Sequence, residues 1–327
     1  MSVMTISEAV REISMLQKEI RKVIVGMDDV VESVLICLFC NGHVLLEGAP
    51  GLGKTLLLKT LGRAMSLDCR RVSFASDILP GDIVGVEVFD SENQRTKLVE
   101  RGPVFTNLFL CDELNRASTK SKSRILEPMQ EQQVTVGGET LALPQPFMVM
   151  ATQNPLEAEG TYPLGRAELD RFLMKVLVQY PSLEDEIEIA RRYSTQKQED
   201  IAISQVMDAQ TVLEICDTIR SLHAERRIYE LAARIAQATR PEQDQCGEGI
   251  IAHFGGASPR VPIALVEAAR VHAALNSRNY VSPADLQGVA LRILRHRLVF
   301  ELGVEEDEKA IQNFVQKVCD EVIRGEK

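Results

Sequence analysis

Gly48-Ala49-Pro50-Gly51-Leu52-Gly53-Lys54-Thr55 is the stretch on which the fold turns. It fits G-x-x-x-x-G-K-[ST], the spacing of a phosphate-binding loop. Glycines in such a loop let the backbone curl until successive N–H groups point at phosphate oxygens. The amino end of the following helix adds partial positive charge. Lys54 is placed to reach the β- and γ-phosphates of a nucleotide, and the Thr55 hydroxyl to ligate Mg²⁺. Ala49, Pro50 and Leu52 complete the loop, and Leu56 continues it into the helix. The flanks agree: His43-Val44-Leu45-Leu46-Glu47 reads as a fully buried strand leading in, and residues 55–65 as a helix leading out.

Outward from the loop, apolar runs at 71–74, 104–111, 147–152 and 175–180 read as further buried strands. Helical or loop stretches separate them, the rhythm of a parallel sheet with helices on both faces. Two hairpins interrupt it, one over 85–99 centred on 90–93, the other over 134–143 turning at Gly137-Gly138. Ahead of the loop, residues 5–24 carry Ile6, Val10, Ile13, Leu16, Ile20 and Val23 at helical spacing, and a second helix runs from the Gly26-Met27-Asp28-Asp29 turn to Cys40. After Pro181 helical periodicity dominates, over 184–193, 209–224, 229–239, 263–275, 283–299 and 306–323. The polar stretch 194–204 reads as a linker. The expected organisation is an α/β nucleotide-binding domain over residues 1–193, including the N-terminal helix, and a smaller all-helical lid domain over 194–327.

The run Leu108-Phe109-Leu110-Cys111-Asp112-Glu113 ends in two acids. In a phosphate-loop enzyme the first holds Mg²⁺ and the second orients or deprotonates the attacking water. Asn154, in Ala151-Thr152-Gln153-Asn154-Pro155, follows another strand and could hydrogen-bond the lytic water or the γ-phosphate. Arg171, in Leu169-Asp170-Arg171-Phe172, precedes the next one. Taken singly, an Asn before Pro is usually a turn and an Arg beside Asp a surface pair.

Composition narrows the class. The chain has 327 residues with 37 Lys+Arg against 47 Asp+Glu, a net charge of −10 that weighs against clamping nucleic-acid phosphates. Its apolar runs fall short of the roughly 20 residues that cross a bilayer, and the first residues carry no signal-peptide pattern. Seven cysteines at irregular spacing fit a reducing cytoplasm rather than a disulfide framework. Cys37 and Cys40 form C-x-x-C within an apolar helix and read as core. None of the five histidines has metal-ligand spacing. Arg292, Arg295, His296 and Arg297 sit among Leu291, Ile293, Leu294 and Leu298, which marks a partly buried lid helix rather than a nucleic-acid face.

Together these residues resemble a AAA+ ATPase, and specifically the MoxR family. The resemblance runs from Val25-Gly26 to Arg297. It is carried by Gly42-His43-Val44-Leu45-Leu46-Glu47-Gly48, Asp112-Glu113-Leu114-Asn115-Arg116-Ala117, the segment around Asn154, Glu159-Gly160-Thr161-Tyr162-Pro163-Leu164, Leu169-Asp170-Arg171-Phe172 and Gly256-Ala257-Ser258-Pro259-Arg260. It implies Walker B roles for Asp112 and Glu113, with Glu113 the catalytic base. It also implies sensor 1 for Asn154 and the arginine finger, acting on a neighbouring subunit, for Arg171. Arg260 matches sensor 2 and would touch phosphate in its own subunit. The hairpins resemble the helix-2 and pre-sensor-1 inserts of the clade that includes magnesium chelatase. Gly165-Arg166 replaces the usual Pro-Glu, which puts a second arginine in contention as the finger. No aromatic-apolar-Gly pore loop stands between the second and third strands, unlike in peptide-threading machines.

The resemblance implies Mg²⁺-dependent ATP hydrolysis by a cytoplasmic homo-oligomeric ring, a hexamer. Such a ring drives chaperone-like remodelling or maturation of a partner and is typically paired with a von Willebrand factor A domain protein. The alternatives are a nucleotide-gated scaffold with little hydrolysis and a magnesium-chelatase-like motor subunit.

Overall fold

A computed structural model describes residues 4–325, except 76, 91–94, 156–161, 241–255 and 301–306. In chain order, helices α1 (Ile6–Val23) and α2 (Asp28–Phe39) precede β1 (Val44–Glu47), and α3 (Lys54–Met65) leads to β2 (Cys69–Ser73). A short α4 (Pro80–Val84) and the hairpin β3 (Gly85–Asp90) and β4 (Arg95–Arg101) lead to β5 (Leu108–Asp112). Then come α5 (Thr119–Glu131), the hairpin β6 (Gln133–Val136) and β7 (Glu139–Ala142), β8 (Met148–Gln153), α6 (Arg166–Leu169) and β9 (Met174–Leu177). Helices α7 (Leu183–Tyr193), α8 (Ala209–Arg220), α9 (Arg226–Ala238), α10 (Arg260–Leu275), α11 (Pro283–Leu294) and α12 (Glu308–Arg324) follow.

The central sheet has the order β2-β5-β8-β1-β9 and its strands pair in parallel, with Val44 opposite Met150 on one side and Met174 on the other. Successive side chains of a strand point to opposite faces, and both faces here are apolar. Val44, Leu46, Leu108, Leu110, Met148 and Met150 enter one buried cluster with α1, α2, α3 and the C-terminal helices. Leu45, Phe109, Cys111, Val149 and Ala151 enter the other, with Ile125 and Met129 of α5 and Val134 and Val136 of β6. That double burial is why the strands read as unbroken apolar runs rather than as alternation.

Both expected hairpins are present; residues 91–94 of the first turn, and 159–161 of the segment before Tyr162, lie outside the described residues. The expected strand 104–111 begins only at Leu108. Gly102-Pro103 turns the chain, Phe105 N–H donates to Gly102 O at 3.2 Å, and Val104 is fully buried as loop in the second cluster. Helix α11 stops at Leu294 rather than 299, because residues 295–298 turn to bring His296 and Arg297 against the foot of β9. Nor is 194–204 a loose linker. Ser204 N–H donates to Glu19 at 3.0 Å, Arg63 donates to Ile201 O at 3.0 Å, and Ile201 and Ile203 pack on the first cluster. Cys37 is buried in that cluster and burial raises its thiol pKa, as expected of a core cysteine.

Candidate nucleotide site

The loop after β1 is shaped by close approach. A Cβ on Gly48 would stand 2.6 Å from Val178 O, and Gly51 and Gly53 have φ of +84° and +79°, which side-chain-bearing residues rarely adopt. Gly48 N–H is held by Gln153 O at 3.2 Å, which seats the loop on β8. No side chain caps α3, so its first N–H groups face the loop's concavity. Lys54 Nζ turns back into the loop and donates to Gly48 O at 2.7 Å. Burial lowers its pKa, opposed by the nearby Asp112, Glu113 and Glu47 carboxylates.

The carboxylates stand at the carboxyl end of β5, as a phosphate-loop fold requires. Asp112 Oδ1 accepts from Thr152 Oγ1 at 2.6 Å and Oδ2 from Arg71 Nη2 at 2.6 Å. The Thr152 hydroxyl in turn accepts from the Glu113 backbone N–H at 2.9 Å. One buried hydroxyl thus spans both acids. Glu113 has φ +57°, and its carboxylate lies 3.0 Å from Arg116 Nε. Asn154 follows β8 directly and is half-buried at this same end. Glu47, at the end of β1, pairs with Lys175 at 2.9 Å and with Gln153. Among the described residues no group of three or more His, Cys, Asp or Glu could hold a metal alone. Thr55 and Asp112 suit Mg²⁺ instead, which keeps waters and takes phosphate oxygens beside one or two protein groups.

A cleft of about 820 Å³ adjoins the loop, lined by Gly26, Met27, Val178, Tyr180, Gln287, Arg295 and Lys309 among others. Met27 Sδ lies 3.6 Å from a Cβ built on Gly53, so cleft and loop are continuous. Helices α11 and α12 form its far wall.

The remaining candidates lie elsewhere. Arg171 precedes β9 at the amino ends of the strands, donating to Gln130 Oε1 at 3.1 Å and to Ala167 O, near where Leu173 N–H meets His43 O at 2.8 Å. Arg166 is exposed at the start of α6. Since β1 and β9 are parallel, at least the length of a four-residue strand, about 13 Å, separates this end from the phosphate loop. Arg260, expected to touch phosphate in its own subunit, opens α10 and is 68 % exposed; its Nη1 lies 3.4 Å from Asp170 Oδ2, beside Arg171 and at the opposite end of the sheet from its own phosphate loop. The lid packs along the β9 edge, with α11 against β9.

Thr152, Arg71 and Arg116 were not legible as site residues. Thr152 stands two residues before Asn154 on an apolar strand, a weak cue. Arg71 and Arg116 carry no spacing signal, because their roles depend on strand pairing and on a local turn.

A family model described as "ATPase family associated with various cellular activities (AAA)" matches residues 43–174, and one described as "AAA lid domain" matches 251–318. The chain is 38% identical over 306 residues to Chaperone MoxR1 of Mycobacterium tuberculosis, covering 93% of this chain and 80% of that protein. It is 31% identical to Protein MoxR of Methylorubrum extorquens, covering 87% of each. A 2.00 Å crystal structure of a candidate ATPase from Cytophaga hutchinsonii superposes with a TM-score of 0.86 at 36% identity, over 95% of this chain and 94% of that one. No helix among the described residues is long and apolar enough to cross a membrane. The chain is a nucleotide-binding ATP hydrolase, and it belongs to the MoxR family of AAA+ ATPases.

Proposed function

We propose that the chain is a Mg²⁺-dependent ATPase that works as a homo-oligomeric ring, a hexamer. Its hydrolysis drives chaperone-like remodelling or maturation of a partner that carries, or acts with, a von Willebrand factor A domain. The observation that carries the ring is the split of charge across the sheet. The phosphate loop, Asp112, Glu113 and Asn154 occupy one end, and Arg171 and Arg260 the other. A monomer therefore cannot bring those arginines to its own nucleotide, whereas a head-to-tail neighbour can.

The backbone of residues 48–53, Lys54, Thr55 and Leu56 binds the phosphates, while Met27 and the adjoining cleft take the base. Thr55 and Asp112 would hold Mg²⁺, which would supply charge neutralisation at the phosphates. Glu113 accepts the proton of the attacking water, and Asn154 orients that water. Arg171, and beside it Arg260, deliver cationic charge to the neighbour's developing γ-phosphoryl oxygens. Arg171 rather than Arg166 serves as the finger: it is anchored by Gln130 and Ala167, so it is presented in a fixed orientation.

Glu113→Gln and Arg171→Ala are each expected to bind ATP with near-native affinity and to lose turnover by at least about 100-fold. Mixed one to one, they recover turnover, because a live site then meets an intact finger. No recovery, or loss of turnover in Arg166→Ala in place of Arg171→Ala, overturns the finger assignment.

A further inference from the structure

The segment that carries Arg171 has no regular structure of its own, and it is held from the lid. After α11 ends, Arg297 enters the wedge at the foot of β9 with only 8 % of its side chain exposed. Its Nε pairs with Asp170 Oδ1 at 2.9 Å; Nη2 donates to Phe172 O at 2.7 Å and lies 3.4 Å from Asp170 O; Nη1 donates to Leu173 O at 3.0 Å and to Ile293 O at 2.6 Å. His296, also buried, lies 3.0 Å from the same Phe172 carbonyl. The other carboxylate oxygen of Asp170 faces Arg260 at the start of α10. The residues on both sides of Arg171 are thus fastened to α11 and α10, while its own side chain reaches back to Gln130 of α5 and Ala167 of α6 and the segment's N–H groups to α6. A planar guanidinium bonded to a carboxylate and three carbonyls admits one geometry of the segment.

One face of α11 borders the nucleotide cleft. Gln287, Leu291 and Arg295 line it, within three turns of Arg297. We infer that Arg297, through Asp170, is a positioning residue that couples a subunit's own nucleotide cleft to the arginine it presents to the next subunit. The inference rests on the reading of Arg171 as the trans-acting finger. A shift of α11 that follows occupancy of the cleft moves Asp170, Phe172 and Leu173 with it, and therefore Arg171. Information then passes around a ring in one direction, from cleft to finger to the neighbour's site. The coupling needs no contact between Arg297 and any nucleotide.

Subunit mixing distinguishes this from a role in folding or in the subunit's own site. Arg297→Lys keeps the charge but loses the fork of donors. It is expected to bind a fluorescent ADP analogue with unchanged affinity and to lose about 100-fold in turnover, the scale of a finger displaced by about 1 Å. Mixed one to one with Glu113→Gln, it is expected to recover to about a quarter of the wild-type rate per subunit, since one head-to-tail interface in four pairs a live site with a well-placed finger. Arg171→Ala mixed with Glu113→Gln is the control. Recovery in the control without recovery for Arg297→Lys overturns the inference alone; no recovery in either overturns the finger reading and the inference with it. Wild-type turnover of Arg297→Lys also overturns it. If that variant does not fold, Asp170→Asn, a near-isosteric change at a carboxylate 29 % exposed, makes the same test with the same expected recovery.

Discussion

At the scale of single residues, the Thr152 hydroxyl binds the two acids at the end of β5 into one unit. A hydroxyl has one donor, and here it goes to Asp112, so the lone pairs accept from the Glu113 N–H. Polarity and direction are therefore fixed together. Thr152→Val keeps the shape but leaves a buried N–H and a carboxylate oxygen without their partner, at about 1–3 kcal/mol in unfolding free energy. Turnover is expected to fall about 10- to 100-fold with ATP affinity little changed, while Thr152→Ser restores most of it; steady-state ATPase assays and equilibrium titration of the two variants check this. The Arg71–Asp112 pair works on the same carboxylate from β2, with Thr152 on Oδ1 and the Arg71 guanidinium on Oδ2.

At the scale of elements, the sheet's amino end is tied by one imidazole. His43 Nδ1 accepts from Val149 N–H at 3.0 Å and Nε2 lies 3.0 Å from Met129 O, which joins β1's lead-in to β8 and to the end of α5. The arrangement admits only the neutral Nε2–H tautomer, because a proton on Nδ1 would face the Val149 donor. Burial pushes the His43 pKa down to about 4, and burial also lowers that of His296. A depressed imidazole takes up its proton more readily unfolded than folded. The stability it contributes is complete above about pH 6.5 and is lost as pH falls toward 4, on the order of 3 kcal/mol for His43 by the lower end of that window. Denaturant unfolding at pH 7 and pH 5 should show the wild type weakening on acidification. His43→Gln, whose amide donates and accepts without titrating, should show a shallower slope. In the lid, Asp285 plays the comparable part. Burial alone would raise its pKa, but hydrogen bonds from Arg278, His272 and Ser282 outweigh it and hold the group ionised, fastening the start of α11 to the end of α10.

At the scale of the whole molecule, the C-terminal helices share one apolar cluster with α1, α2 and a face of the sheet, so lid and sheet edge meet in a continuous packed surface. That packing lays α11 along β9 and carries Arg260 to Arg171's end of the sheet. The net charge of −10 then coexists with two cationic foci: Lys54 at one end, Arg171 and Arg260 at the other. Two unlike ends are what the proposed head-to-tail ring requires of its subunit. Glu113→Gln purified in ATP is expected to retain its partner, since the cycle stops before release. Identification of a von Willebrand factor A domain protein in that complex supports the remodelling reading. Wild-type turnover that does not change when the partner is added favours a nucleotide-gated scaffold instead.

Local sequence suffices for the strand–loop–helix frame, the parallel sheet, both hairpins and the groups at the strand ends. Each of these follows from local periodicity or from a motif whose chemistry admits few residues at fixed spacing. The loop needs glycine at Gly48, Gly51 and Gly53 for backbone reasons that act within a few residues, and Asp112-Glu113 ends an apolar run. Which groups share an end of the sheet depends instead on long-range packing. Arg260 belongs with Arg171 rather than with Lys54; Thr152 binds Asp112 to Glu113; Arg297 clasps Asp170 across 127 positions of chain. Such contacts depend on strand order and on how the lid docks, set by burial of apolar surface summed over many residues, and no short stretch of sequence encodes that sum.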